Sequence, residues 1–148
     1  MRLRVLAVKN SNPPLNLLYK MNREGINQLA HSIIDAAYTV HRMMGPGLLE
    51  SVYEHCLAYE LQLRQIPVKR QVSIPLIYRG VTISKEYVID LLVADAVILE
   101  LKAVEALLPI HQAQLISYLK LADKRLGFLL NFNVPVMKDG IRRVVNNF

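Results

Sequence analysis

The stretch Asp90-Leu91-Leu92-Val93-Ala94-Asp95-Ala96-Val97-Ile98-Leu99-Glu100-Leu101-Lys102 decides how this chain is read. Ala94-Asp95-Ala96 has the size and polarity of a tight turn. Residues 85–93 and 97–102 on either side then form two strands of one hairpin. Successive side chains alternate faces in a strand, so Glu100 and Lys102 share one face and Leu99 and Leu101 take the other. A hairpin symmetric about Asp95 sets Asp90 opposite Glu100. Charged groups inside so apolar a hairpin are costly unless something satisfies them. Asp95 itself is expected only as a turn residue.

Directly opposed Cβ atoms in a sheet lie about 4.5–5.5 Å apart. Two carboxylates that close repel when both are ionised, so one of them protonates or a cation joins them. Oxygen ligands of this kind suit Mg²⁺ or Mn²⁺, with Mg–O distances of about 2.0–2.1 Å. Lys102, one pleat further on, can hold a water or offset negative charge developing on a phosphate. The alternative is a buried Asp-Glu-Lys group with no ligand, which leaves a net negative charge.

Outward from the hairpin, helical and strand periodicities partition the chain. Ile26, Leu29, Ala30, Ile33, Ile34, Ala37, His41 and Met44 recur at helical spacing. Gly45-Pro46-Gly47 stops that helix, and a second runs from about Leu48 to Arg64, with Leu49, Val52, Cys56 and Leu63 as its expected apolar stripe. Val72, Ile74, Leu76 and Tyr78 alternate, so residues 68–78 read as a strand. Pro75 marks it as an edge or a bulge, and Arg79-Gly80 turns it into the next. Pro109 suits the first turn of a helix over 109–122. Residues 127–131 are continuously apolar, as in a strand buried on both faces. Ile141–Val145 is a candidate last strand after Asp139-Gly140. The order predicts an α/β domain: a mixed β-sheet core of αβββαβ type flanked by helices, with an extra N-terminal helix.

Composition narrows the classes. Hydrophobic residues make up 53% of the 148, which excludes disorder and leaves apolar surface for a subunit interface. Cys56 is the one cysteine, so no intrachain disulfide forms and a reducing, cytoplasmic setting is expected. No segment approaches the roughly 18 apolar residues of a membrane span. The net charge is +6, but Arg2, Arg4, Lys9, Lys20 and Arg23 all fall in the first 23 residues, and the rest carries only +1. Residues 1–23 are read as a basic, irregular leader: first a flexible tail or a segment preceding a start at Met21, with a targeting presequence as the further alternative. It lacks the apolar core of about 7–15 residues that a signal peptide needs. Residues 24–148 are read as one domain.

An Asp…Glu-x-Lys arrangement on a hairpin resembles the PD-(D/E)XK phosphodiesterase superfamily, which has the restriction-endonuclease-like fold. Gly47-Leu48-Leu49-Glu50-Ser51-Val52-Tyr53 resembles the Gly-x-x-Glu-x-x-Tyr signature of a small bacterial family, the GxxExxY family. Further segments agree with that family: Val40-His41 before the Gly-Pro-Gly turn, Asp90–Val93, Glu100–Val104, His111–Gln114, Tyr118–Lys120 and Leu130–Phe132. Together they span about residues 25–146. The proline that nominally precedes the first acidic residue is Ile89 here, a position with little chemistry.

The resemblance implies that Asp90 and Glu100 hold Mg²⁺ or Mn²⁺. Glu50 from the first core helix would complete the metal shell or act through water, and Lys102 would orient the attacking water. Gln114 and Tyr118, adjacent at i and i+4, resemble the Gln-x-x-x-Tyr helix of helicase-associated nucleases, where such groups contact phosphate or stack on a base. A polar seam between helix and sheet is the other reading of that pair. His41 and His111 are expected as packing or hydrogen-bonding histidines, and Cys56 as core. The implied partner is nucleic acid, DNA before RNA. A homodimer or partner protein is admitted, and a membrane is not. A metal-dependent nuclease is the first functional expectation. The near-neutral body supports a second, a non-catalytic nucleic-acid-binding or assembly module that keeps the nuclease fold. A purely structural ionic core is the third.

Overall fold

A computed structural model describes residues 21–148, apart from the side chain of Glu86. The expected leader therefore lies outside the described residues, except for Met21, Asn22 and Arg23. Helix α1 spans Arg23–Met44, and the Asn22 side chain caps it by accepting from the Gly25 N–H at 2.8 Å. The helix ends at Gly45, and Gly45 and Gly47 take φ of 69° and 98°. Side chains with a Cβ rarely adopt such values, so the two glycines let the chain reverse here. Helix α2 then spans Glu50–Leu63.

Strands β1 (Val68–Tyr78), β2 (Val81–Val93) and β3 (Val97–Lys102) form a meander. Helix α3 (Pro109–Ala122) crosses to β4 (Leu126–Asn131), and a short 3-10 turn leads into β5 (Ile141–Val145). The described residues form one five-stranded sheet in the order β1-β2-β3-β4-β5. β3 and β4 are parallel, as a helical crossover requires, and every other pair is antiparallel. The mixed sheet and its flanking helices agree with the sequence reading.

The sheet separates two cores. On one face α1 and α2 cover Leu91, Val93, Val97, Leu99, Leu101, Phe128 and Leu130. On the other, α3 supplies Leu115, Tyr118 and Leu119 against Ile74, Ile89, Leu92, Ile98 and Leu129. β4 is buried along its whole length, as its apolar run predicts.

Three details correct the sequence reading. The buried stripe of α2 is Tyr53, Leu57, Ala58 and Leu61, whereas Leu49 and Leu63 are 72% and 60% exposed. Apolar residues surround this helix, so composition selects no face, and Leu61 and Leu63 project too far apart in angle to share one. α2 begins at Glu50 rather than Leu48, because Leu49 is still extended. β2 begins at Val81 rather than 85, so the β1–β2 hairpin is longer than expected. Pro75 coincides with a register shift in β1, the outermost strand, which fits both readings of that proline. Asp95 forms the turn and also sets Oδ1 3.4 Å from Lys124 Nζ, which ties the hairpin to the α3–β4 loop.

Candidate functional site

The hairpin register is the one that its symmetry implies: Val93 pairs with Val97, Leu92 with Ile98 and Leu91 with Leu99. Beyond Leu91 the two backbones part, and side chains carry the next bonds. The Asp90 N–H donates to Glu100 Oε1 at 3.2 Å, and the Leu101 N–H donates to Asp90 Oδ2 at 2.9 Å. Opposite Asp90, Gln71 takes a φ of 52°, which interrupts β1 at the same level. Ile89 faces the α3 core and Leu91 the opposite one, so β2 turns over at Asp90. The two carboxyl groups occupy this fork.

Glu100 is only 6% exposed. Its burial, then the charge of Asp90, push its pKa up to about 9. Burial also raises Asp90, against the pull of the Leu101 N–H. The two carboxyl groups hydrogen-bond each other, and near neutral pH Glu100 holds a proton. Lys102 lies close enough to favour the ionised form of both.

Glu50 stands at the first position of α2, where the helix dipole favours an anion. Its pKa is raised by burial, opposed by Lys102 and by the Ala103 N–H that hydrogen-bonds it, and raised further by Asp90. It thus faces Lys102 and Asp90 from across the end of β3. Tyr53 fixes the loop that delivers it. The Tyr53 hydroxyl donates to the Gly45 carbonyl and accepts from the Leu48 N–H at 3.1 Å, and its ring stacks on Phe132 at 4.6 Å. The glycine-glutamate-tyrosine spacing therefore closes a loop and aims a carboxylate.

Tyr118 reaches the acid pair from α3. Its hydroxyl pKa is raised by burial and by the charge of Glu100, and Gln114 Nε2 donates to it at 3.0 Å. Gln114 itself is exposed and touches Tyr118, which fits the polar-seam reading as well as a role at the site. His111 Nδ1 accepts from the Leu108 N–H at 3.0 Å, and His41 Nε2 donates to the Val134 carbonyl at 2.7 Å. Both are structural, as expected. Cys56 is half-buried against the α1–α2 core.

Two groups escaped the sequence reading. Glu54, one turn after Glu50, is buried and held by Arg70 at 2.8 Å and Gln71 at 2.6 Å, and its charge acts on Asp90. Its i, i+4 relation to Glu50 was the available signal. Asn131 is buried beside Lys102 in the β3–β4 register. It holds Val104 from both sides, accepting from its N–H at 3.1 Å and donating to its carbonyl at 2.9 Å. That clamp fixes the backbone that carries the Ala103 N–H.

A family model described as the PD-(D/E)XK nuclease superfamily matches residues 27–144. The chain belongs to the PD-(D/E)XK nuclease superfamily. Its mixed sheet and three helices are consistent with the restriction-endonuclease-like fold of that superfamily. Comparison with curated proteins and with solved structures gave no match. Superfamily nucleases act on nucleic acid and typically use divalent metals. Among the described residues, no three His, Cys, Asp or Glu side chains converge into a ready metal cage. The donors that do meet are the Asp90–Glu100 pair, with Glu50 outside it. An all-oxygen pair that retains a proton in place of a cation fits a hard divalent ion. No helix among the described residues is long and apolar enough to cross a membrane.

Proposed function

We propose that this chain is a metal-dependent nuclease of the GxxExxY family that hydrolyses phosphodiester bonds, DNA before RNA. The observation that carries the reading is the carboxyl pair, Glu100 buried and Asp90 half-buried, with Lys102 beside it and Glu50 facing it. In this reading Asp90 and Glu100 hold Mg²⁺ or Mn²⁺, and Glu50 adds an oxygen, directly or through water. A bound divalent ion supplies positive charge to the transferring phosphoryl group and makes water more acidic.

The chain's own groups do the rest. Lys102 orients the attacking water by donating to it and offsets charge on the phosphate. The Leu101 N–H holds the Asp90 carboxylate, and the Ala103 N–H holds that of Glu50, so neither needs to reorganise. The Tyr118 hydroxyl, oriented by Gln114, donates to a phosphate oxygen. Glu100 is buried and Asp90 half-buried, so the pair meets solvent only on the Asp90 side. Residues 24–148 act as one domain, preceded by a basic leader, in a bacterial cytoplasm, alone, as a homodimer or with a partner protein.

The near-neutral body, and the lack of a three-residue cage among the described residues, favour a second reading, a nucleic-acid-binding or assembly module that keeps the nuclease fold. Incubation with single- and double-stranded DNA and RNA in Mg²⁺ or Mn²⁺, beside Asp90→Ala and Lys102→Ala, separates the two. Hydrolysis by the natural chain alone is expected. Hydrolysis that persists in both variants sinks the nuclease reading. Calorimetric Mn²⁺ binding that needs Asp90, without hydrolysis, selects the second reading.

A further inference from the structure

Much of the long β1–β2 hairpin stands clear of the rest of the sheet. β3 pairs with β2 only over Leu91–Val93, while β1 and β2 stay paired out to Tyr78 and Val81. The ribbon between starts at Asp90, so it leaves the sheet at the acid pair.

Its register sorts its faces. Ile74 pairs with Tyr87, Leu76 with Ser84 and Tyr78 with Val81. The extra residues of both irregularities sit on β2, so β1 keeps its alternation. Ile74, Leu76 and Tyr78 therefore share a face. Ile74 belongs to the α3 core, which makes this the face that carries Tyr118. A row of tyrosines results. The Tyr118 ring meets that of Tyr87 edge-on at 6.3 Å. Tyr78 follows four residues beyond Ile74, roughly 13 Å further along the strand. Exposure rises outward, from 6% at Tyr118 to 41% at Tyr87 and 63% at Tyr78. The Arg79 guanidinium lies 5.8 Å from the centre of the Tyr78 ring. Lys85 is exposed on the same ribbon.

We propose that the tyrosine face of the ribbon is a stacking platform for an unpaired nucleic-acid strand, which it leads toward the acid pair. Exposed aromatic rings without a protein partner cost solubility, and base faces are what such rings stack on. A duplex hides its base faces, and a duplex track needs many phosphate contacts. The body beyond the leader carries only +1, too little for such a track. Arg79 and Lys85 suit one strand: Arg79 extends the Tyr78 stack, and both meet backbone phosphates. The platform rests on the nuclease reading only for where the strand goes next. Binding to it needs no hydrolysis.

The test is fluorescence anisotropy in EDTA with labelled oligothymidine of roughly 15 nucleotides, the upper end of one platform's span, beside a duplex of equal length. The single strand is expected to bind more tightly than the duplex. Its salt slope should be shallow, about −1.4, as the two cations Arg79 and Lys85 on a single strand give. Tyr78→Leu should weaken binding about 5- to 160-fold, the range for losing one stacked base, and Tyr78→Phe should keep it. Tyr87→Leu should weaken it likewise. Equal or tighter duplex binding overturns the proposal, and so does Tyr78→Leu binding as well as Tyr78→Phe. A dimer that Tyr78→Leu dissolves without changing oligothymidine binding assigns the face to a second copy, and also overturns it. Loss of the platform with metal-dependent hydrolysis intact leaves the nuclease reading standing, and the converse leaves the platform.

Discussion

Replacing Glu100 by glutamine should stabilise the metal-free protein, increasingly so as the pH rises. Glu100 has an ordinary pKa of 4.5, raised in the fold to about 9. Between these values the folded protein keeps a proton that the unfolded chain has released. Each unit of pH in that window therefore costs about 1.4 kcal/mol of stability. The contribution is fully present below the unfolded value and is lost as the pH climbs toward 9. Carried to pH 7, the window amounts to about 3 kcal/mol. Glutamine matches the protonated acid in shape. Its oxygen can accept from the Asp90 N–H as Glu100 Oε1 does, and its amide can donate to the Asp90 carboxylate. Thermal melts of both proteins in EDTA from pH 5 to 9 measure the effect. The natural chain should lose melting temperature with pH more steeply than Glu100→Gln. The gap at pH 7 should be of order 10 °C, from about 2–4 °C per kcal/mol for a larger domain and more for a smaller one. Saturating Mn²⁺, at a hundredfold over its Kd, should restore about 2.7 kcal/mol to the natural chain at pH 7 and much less to the variant. Parallel pH profiles, or a variant less stable at every pH, would refute the protonated-Glu100 description of the site.

Tyr53→Phe keeps the stack on Phe132 but loses both hydroxyl bonds, to Gly45 and from Leu48. It should cost about 1–2 kcal/mol in urea unfolding, at the strength of two net hydrogen bonds, and it should lower Mn²⁺ affinity by loosening Glu50. Asn131→Ala removes the bonds to both backbone groups of Val104 and the one from the Asn133 N–H. A loss of about 2–3 kcal/mol is expected from three part-buried hydrogen bonds at about 1 kcal/mol each, and amide hydrogen exchange at Val104 should accelerate markedly.

Much of the fold was legible because it is written in short-range periodicity. Alternation located β1 and β3, Pro109 marked the start of α3, and an all-apolar run identified β4 as an interior strand. Even the register of the charged hairpin could be read, since a tight turn at Asp95 leaves few ways to pair Asp90–Val93 with Val97–Glu100. The buried face of α2 could not be read, because its apolar residues surround the helix and only the sheet beneath selects Tyr53, Leu57 and Leu61.

The site divides along the same line. The sequence by itself determined which charges lie on one pleated face, and that Asp90 and Glu100 come together. Tertiary structure alone decided that the strands part at Asp90, so that each carboxyl group takes up a backbone N–H and one retains a proton. It also decided that Glu50 meets Ala103, that Glu54 is locked by Arg70 and Gln71, and that Asn131 clamps Val104. Strand alternation and turn length act over a few residues and can be read from neighbours along the chain. Burial, and the pKa shifts that follow from it, depend on groups brought from tens of residues away, and only packing of α2 and α3 against the sheet sets them.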